Sequence, residues 1–231
     1  MTGGGFGPSA DGRIRIDVWS DVMCPFCYMG DALLERALTQ FEHRDTVDVE
    51  YHSFLLMPDL PVGSAVDLGE LLASRRGIPR EQAEAMNAQV AERGREIGLD
   101  YRFDRAVATN TRRAHELSHF AERQGRQHEM IQRLFRAYFT EGANVGDREV
   151  LTGLAAEVGL DPDAAAAALA SGEFADAVDA DIRQAQQLGI TGVPFFVFEA
   201  TYAISGAQPV EVFAQALQRV RDDKTSTPVA R

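Results

Sequence analysis

RIRIDVWSDVMCPFCY, residues 13–28, decides how the rest of the chain is read. Ile14, Ile16 and Val18 alternate with Arg15, Asp17 and Trp19, the two-residue period of a strand with one buried face. After it, Leu33, Leu34, Ala37, Leu38 and Phe41 form a helical stripe. Between strand and helix stands Cys24-Pro25-Phe26-Cys27. Pro25 suits the first helical position, where its missing N–H costs nothing, so Cys24 falls at the N-cap and Cys27 one turn later on the same face. Side chains three apart on a helix have Cβ atoms about 5–6 Å apart, a small adjustment away from disulfide range. The Cys24 sulfur is expected to face unpaired N–H groups and the positive end of the helix dipole, both of which favour the nucleophilic thiolate. Cys27, a turn deeper, is expected to be the shielded resolving thiol.

These are the only cysteines in 231 residues, and two of them three apart point to dithiol chemistry. A structural disulfide across so short a loop constrains the unfolded chain little. A zinc site would have to combine the pair with His115 and His119, far away in sequence, whereas zinc motifs keep their pairs close. Two inert buried thiols are the third plain reading. Redox is preferred to all three, and no metal and no cofactor are expected.

Composition narrows the partners. Lys and Arg total 23 against 35 acids, a formal net charge of −12, which leaves no basic surplus for nucleic acid or an anionic membrane. At 45% hydrophobic the chain can bury a real core, yet no apolar run approaches a membrane span. Residues 1–12 read as a flexible polar lead without the basic start and apolar run of a secretory signal. The expected address is therefore cytoplasmic, where a cysteine pair tends to be catalytic.

Val47, Val49 and Tyr51 alternate with Asp48, Glu50 and His52, a second strand completing a right-handed βαβ unit. Helical patterns then dominate. Ala83 to Ile97 mark one helix, Asn110 or Thr111 caps another through Phe120, and Met130 to Tyr138 form a third. Asp147 and Asp161 cap two more, stopped by Gly159 and Gly172, and Glu173–Leu188 is the sixth. Phe195–Phe198 and Tyr202–Ser205 form a hairpin about Glu199-Ala200-Thr201, and Pro209 begins a last helix. The expected architecture is α/β, a thioredoxin-like βαβ…ββα fold (13–60 and 189–222) with a large all-helical domain (61–188) inserted between its halves and a flexible tail (223–231).

Several segments carry a family resemblance: WSDVMCPFCYMG (19–30), ATNTRRAH (108–115) and ITGVPFFVF (190–198), with GANVGD (142–147) and ISGAQP (204–209). Together they resemble the DsbA-like oxidoreductases, in particular the FrnE-like branch, over nearly the whole chain. From the residues alone, Pro194 opens an edge or first strand position. The resemblance implies more: a cis Val193–Pro194 bond facing the cysteines, with an open backbone edge at Val193 for an extended substrate. It also implies that Pro25 and Phe26 tune the redox potential, and it matches His115 to a family position; His115 either faces the cleft there or is a satisfied packing histidine. Phe26 is either a substrate contact or packing. Asp21 either relays protons or shapes the turn, and the turn is preferred because its charge would oppose a thiolate. Met23, Met29 and Met57 either line an adaptable groove or, the preferred reading, fill the core.

The expected activity is thiol–disulfide exchange as oxidase, reductase or isomerase, with Cys24 as nucleophile and Cys27 resolving, on a protein or small-molecule thiol or disulfide. One rival is a glutathione-dependent enzyme resembling 2-hydroxychromene-2-carboxylate isomerase, whose members usually carry serine at the Cys24 position. The other is a redox-independent peptide-binding chaperone.

Overall fold

The computed structural model describes residues 6–9 and 12–226. Strand β1 (Ile14–Ser20) leads through α1 (Pro25–Gln40) to the parallel strand β2 (Val47–Ser53). The insertion follows, as β3 (Val66–Asp67), α2 (Leu68–Arg76), α3 (Arg80–Glu96), β4 (Val107–Ala108), α4 (Arg112–Glu122) and α5 (Gln127–Arg136). After a wide π turn at Ala137–Glu141 come α6 (Arg148–Glu157), α7 (Pro162–Ser171) and α8 (Ala175–Gln187). The chain then returns as β5 (Phe195–Phe198), β6 (Tyr202–Ser205) and α9 (Val210–Ser226). The sheet order is β2-β1-β5-β6, with β5 antiparallel to both neighbours. Ile14, Ile16 and Val18 pack with Leu34 and Leu38 of α1 and with Phe213 and Leu217 of α9 in the main core.

Four features depart from the sequence reading. Helix α2 was not anticipated; Asp67 caps it, its side chain accepting the Glu70 N–H at 2.7 Å. The insertion also carries a two-residue antiparallel ladder, β3 with β4, too short to show a strand period. Helix α9 runs to Ser226 rather than fraying at 223, because Lys224 pairs with Glu199 at 2.7 Å and Asp223 accepts the Tyr202 hydroxyl at 2.6 Å. Of the expected lead, Phe6 lies against Trp19 (ring centroids 5.9 Å apart) and the Ser9 N–H reaches Glu199 at 3.3 Å. Residues 1–5, 10, 11 and 227–231 of the lead and tail lie outside the described residues.

The second face of β1 is closed as well: Asp17 and Trp19 are both 0% exposed. Helix α8 covers it through charge. His52 lies between two carboxylates, with Nε2 2.8 Å from Asp17 and Nδ1 3.1 Å from Asp181. His119 bridges Asp181 at 2.9 Å and Glu122 at 3.0 Å. Arg15 pairs with Asp17 and Glu50, each at 2.8 Å, and the Ser53 N–H donates to Asp181 at 2.7 Å. Asp181 thereby ties the insertion's last helix to β2 and α4. Ser53, His119 and Glu122 are spaced like a hydrolytic triad, with Ser53 Oγ 3.2 Å from His119 Nε2. Asp181 shares that same nitrogen and Ser53 is buried, so the group is a structural clamp.

Burial works to lower the His52 pKa, but hydrogen bonds to Asp17 and Asp181 overcome it and raise it to about 9. His119 is likewise raised to about 9, burial being outweighed by Asp181 and Glu122. Burial opposes ionisation of Asp181 too, yet the two histidines hold it below the usual carboxylate range. Groups whose folded pKa is raised stabilise fully below the ordinary 6.5 and lose that contribution as pH climbs to about 9. Stability in urea, followed by the single tryptophan, is therefore expected to fall across that window. Asp181→Asn should cost about 3–5 kcal/mol near neutral pH by orphaning buried charge, with the gap to wild type narrowing above it.

Candidate active site at the head of helix α1

Cys24 sits at the N-cap of α1 in extended conformation (φ −87°, ψ 112°) and Pro25 takes the first helical position. The Cys24 N–H donates to the Asp21 carbonyl at 3.0 Å, and its own carbonyl accepts the Cys27 N–H at 3.0 Å. Both thiols are free and buried, Cys24 at 4% and Cys27 at 1% exposure. The Cys24 sulfur takes no hydrogen bond from the helix N–H groups. Its thiol instead donates to the Val193 carbonyl, 3.6 Å away. The Val193–Pro194 bond is cis and Pro194 is buried, with its carbonyl accepting the Gly206 N–H at 2.8 Å. The first turn of α1 and the loop opening β5 thus form one surface around a pair of sulfurs.

Burial pushes the Cys27 thiol well above its ordinary value, helped by its hydrogen bond to Cys24 and the charge there. The Asp21 backbone and the Ser20 hydroxyl work in the opposite direction. Charge on Cys27 is therefore costly, as suits a thiol that acts second.

Asp21 is a brace for the loops around this turn. Fully buried, it accepts the Leu56 N–H and the Thr111 hydroxyl, each at 2.7 Å, and the Met23 N–H at 3.4 Å. His115 is buried behind it, Nε2 lying 3.5 Å from the carboxylate without forming a hydrogen bond. It stands among the cluster beneath the active-site loop rather than in an open cleft. The Tyr138 hydroxyl, buried beside it and unpartnered, is pushed up by burial and then by the Asp21 charge. Phe26 is half-buried, with the Arg93 guanidinium of α3 5.7 Å from its ring centroid, so the insertion covers it. Met23 and Met29 are buried in the core and Met57 packs against it. The two histidines weighed as zinc ligands diverge, His115 toward Asp21 and His119 toward Asp181.

Two further contacts at the turn are not among those expected from the sequence. Ser20 touches Cys27, and the Tyr101 hydroxyl donates to the Pro25 carbonyl at 2.6 Å. Ser20 was within reach of a closer reading, since it ends the strand that delivers the cysteines. Tyr101 gave no local signal, because its place depends on how the insertion packs.

The family model for the DSBA-like thioredoxin domain matches residues 15–218. The uncharacterised protein YwbO of Bacillus subtilis (strain 168) is 30% identical over 215 residues, covering 88% of this chain and 96% of that protein. The crystal structure of a probable DsbA oxidoreductase from Streptomyces coelicolor is 38% identical, covers 95% of this chain and 94% of its own, and superposes with a TM-score of 0.88. The cytosolic disulfide reductase DsbM from Pseudomonas aeruginosa, solved with GSH, has a TM-score of 0.65 at 23% identity, covering 90% of this chain and 99% of its own.

The cost of charging the buried Cys27 sulfur has a direct readout. With Cys24 replaced by Ala, Cys27 is expected to react with iodoacetamide at neutral pH slower by about tenfold or more than Cys24 does in Cys27→Ala. Mass spectrometry of timed aliquots checks this.

Proposed function

The chain belongs to the DsbA-like thioredoxin-domain family, and from that premise we propose that it is a thiol–disulfide oxidoreductase working through Cys24 and Cys27. The observation that carries the reading is the placement of the two sulfurs at the head of α1, the outer one against the Val193 carbonyl. In the reducing direction the Cys24 thiolate attacks a substrate disulfide, forming a mixed disulfide and releasing one substrate thiolate. Cys27, deprotonated, then attacks Cys24 Sγ, forming the Cys24–Cys27 bond and freeing the second substrate thiolate. In the oxidising direction a substrate thiolate attacks Cys24, the internal bond breaks, and Cys27 leaves. A second substrate thiolate then displaces Cys24. The reduction potential of the pair against its partner sets the direction.

Val193 and Pro194 border the incoming sulfur, and Pro25 and Phe26 shape the turn between the cysteines. His115 acts from beneath, behind Asp21. We assign the chain to the FrnE-like branch and to the cytoplasm. A chain whose only two cysteines are paired in its site needs no structural disulfide, and the likeness to a reductase described as cytosolic supports the same setting. No helix among the described residues is long and apolar enough to cross a membrane.

Insulin reduction and the refolding of scrambled ribonuclease test the proposal. Wild type is expected to turn over and Cys24→Ser to be inactive, while Cys27→Ser stalls as a mixed disulfide. Equal activity in Cys24→Ser and wild type would falsify it. Isomerisation of a chromene carboxylate that survives loss of Cys27 would favour the isomerase reading instead. Suppression of aggregation that survives loss of both cysteines would favour the chaperone.

A further inference from the structure

Tyr101 belongs to the insertion, between α3 and β4, and stands 76 positions from the residue it contacts in the active-site turn. Its hydroxyl donates to the Pro25 carbonyl at 2.6 Å, and the residue is only 6% exposed. The ring is held from several sides. It stacks on Phe103 with centroids 5.3 Å apart and meets Phe139 edge-on at 5.0 Å and Tyr28 at 5.7 Å. On α3 it occupies the space a side chain would need: a Cβ at Gly94 would come within 2.3 Å of the ring. Only glycine lets the helix and the ring approach this closely.

A ring fixed on every side holds its hydroxyl in place, and the hydroxyl holds the Pro25 carbonyl. That carbonyl belongs to the Pro25–Phe26 peptide, in the short turn that separates the two sulfurs. How the peptide is tilted sets how readily they approach to bond. Burial, followed by the charges of Tyr28, Cys24 and Cys27, raises the phenol above its ordinary range, so it remains a protonated donor while the dithiol works.

Building on the redox reading above, we infer that Tyr101 is a positioning residue of the dithiol. Through it the insertion holds the Cys24-Pro25-Phe26-Cys27 turn in its dithiol geometry and so sets the equilibrium between dithiol and disulfide. It touches no reacting atom. The hydrogen bond is made with both sulfurs unbonded. Closing the disulfide is inferred to tilt the peptide away from the hydroxyl, in which case the bond favours the reduced form and losing it shifts the pair toward the disulfide.

The test is Tyr101→Phe, which keeps the ring and removes the hydroxyl, equilibrated in glutathione redox buffers and read as the fraction of Cys24–Cys27 disulfide. The equilibrium constant is expected to move toward disulfide by about threefold to tenfold, the ratio carried by one neutral hydrogen bond. Phe103→Leu, which loosens the stacking but keeps the hydroxyl, is expected to lower urea stability and to move the constant clearly less than Tyr101→Phe does. A Tyr101→Phe constant within twofold of wild type, or shifted the other way, overturns the inference. So does an equal shift in Phe103→Leu, which would reduce Tyr101 to packing. A wild-type chain that cycles normally beside an unmoved Tyr101→Phe removes this inference alone. A wild-type chain that never forms the disulfide removes the redox reading with it.

Discussion

Cys24 and Val193 are 169 positions apart in sequence and their sulfur and carbonyl are 3.6 Å apart in space. Everything between them has to fold for that contact to exist. It depends on α1 lying close to β5, and Gly30 is what allows it. A Cβ there would come within 2.9 Å of the Phe196 ring and 3.0 Å of Pro194. A close-packed interior has no slack to absorb such an overlap. The glycine three residues past Cys27 is thus part of the site although it carries no chemistry.

The two faces of β1 are closed by opposite means. Isoleucine and valine bury one face against α1 and α9 in a non-directional contact. Arg15 and Asp17 face the other way into hydrogen-bonded charge, with Trp19 stacked on His52 at 4.6 Å. Buried ion pairs add little net stability over apolar packing, but each accepts one arrangement of its partners. Here that arrangement fixes α8 against β2, and α8 leads through Gly189 and the buried Ile190 into the loop that carries Val193. A clamp remote from the sulfurs therefore bears on where the Val193 carbonyl stands.

Most local contacts are announced by the residues, the Asp67 cap of α2 being an exception. The alternation of Ile14, Ile16 and Val18, the proline after Cys24, the aspartates that cap α6 and α7, and the hairpin about Glu199 and Ala200 are all short-range patterns, and each element is present. Partners distant in the chain were not legible. Trp19 and Asp17 looked solvent-facing because nothing nearby shows that α8 will cover them. The sequence favours a turn role for Asp21 over proton relay, but its bond to Thr111, 90 positions away, is invisible there. The sulfur at the head of the helix also turns from the N–H groups toward a carbonyl. Choosing between those two requires knowing where β5 enters.

The same distinction bears on which part of the chain makes the site. The thioredoxin-like half supplies the sulfurs and the Val193–Pro194 loop, but much of what steadies the turn comes from the insertion. Thr111 holds Asp21, Arg93 covers Phe26 and Tyr101 reaches Pro25, while Asp181, farther off, fixes His52. These contacts come from α3, the segment after it, the entry to α4, and α8. A polypeptide turn of four residues has little rigidity of its own, and its geometry is decided by what surrounds it. On the proposed redox reading the helical insertion is a working part of the site, and sequence change within it reaches the dithiol without touching a cysteine.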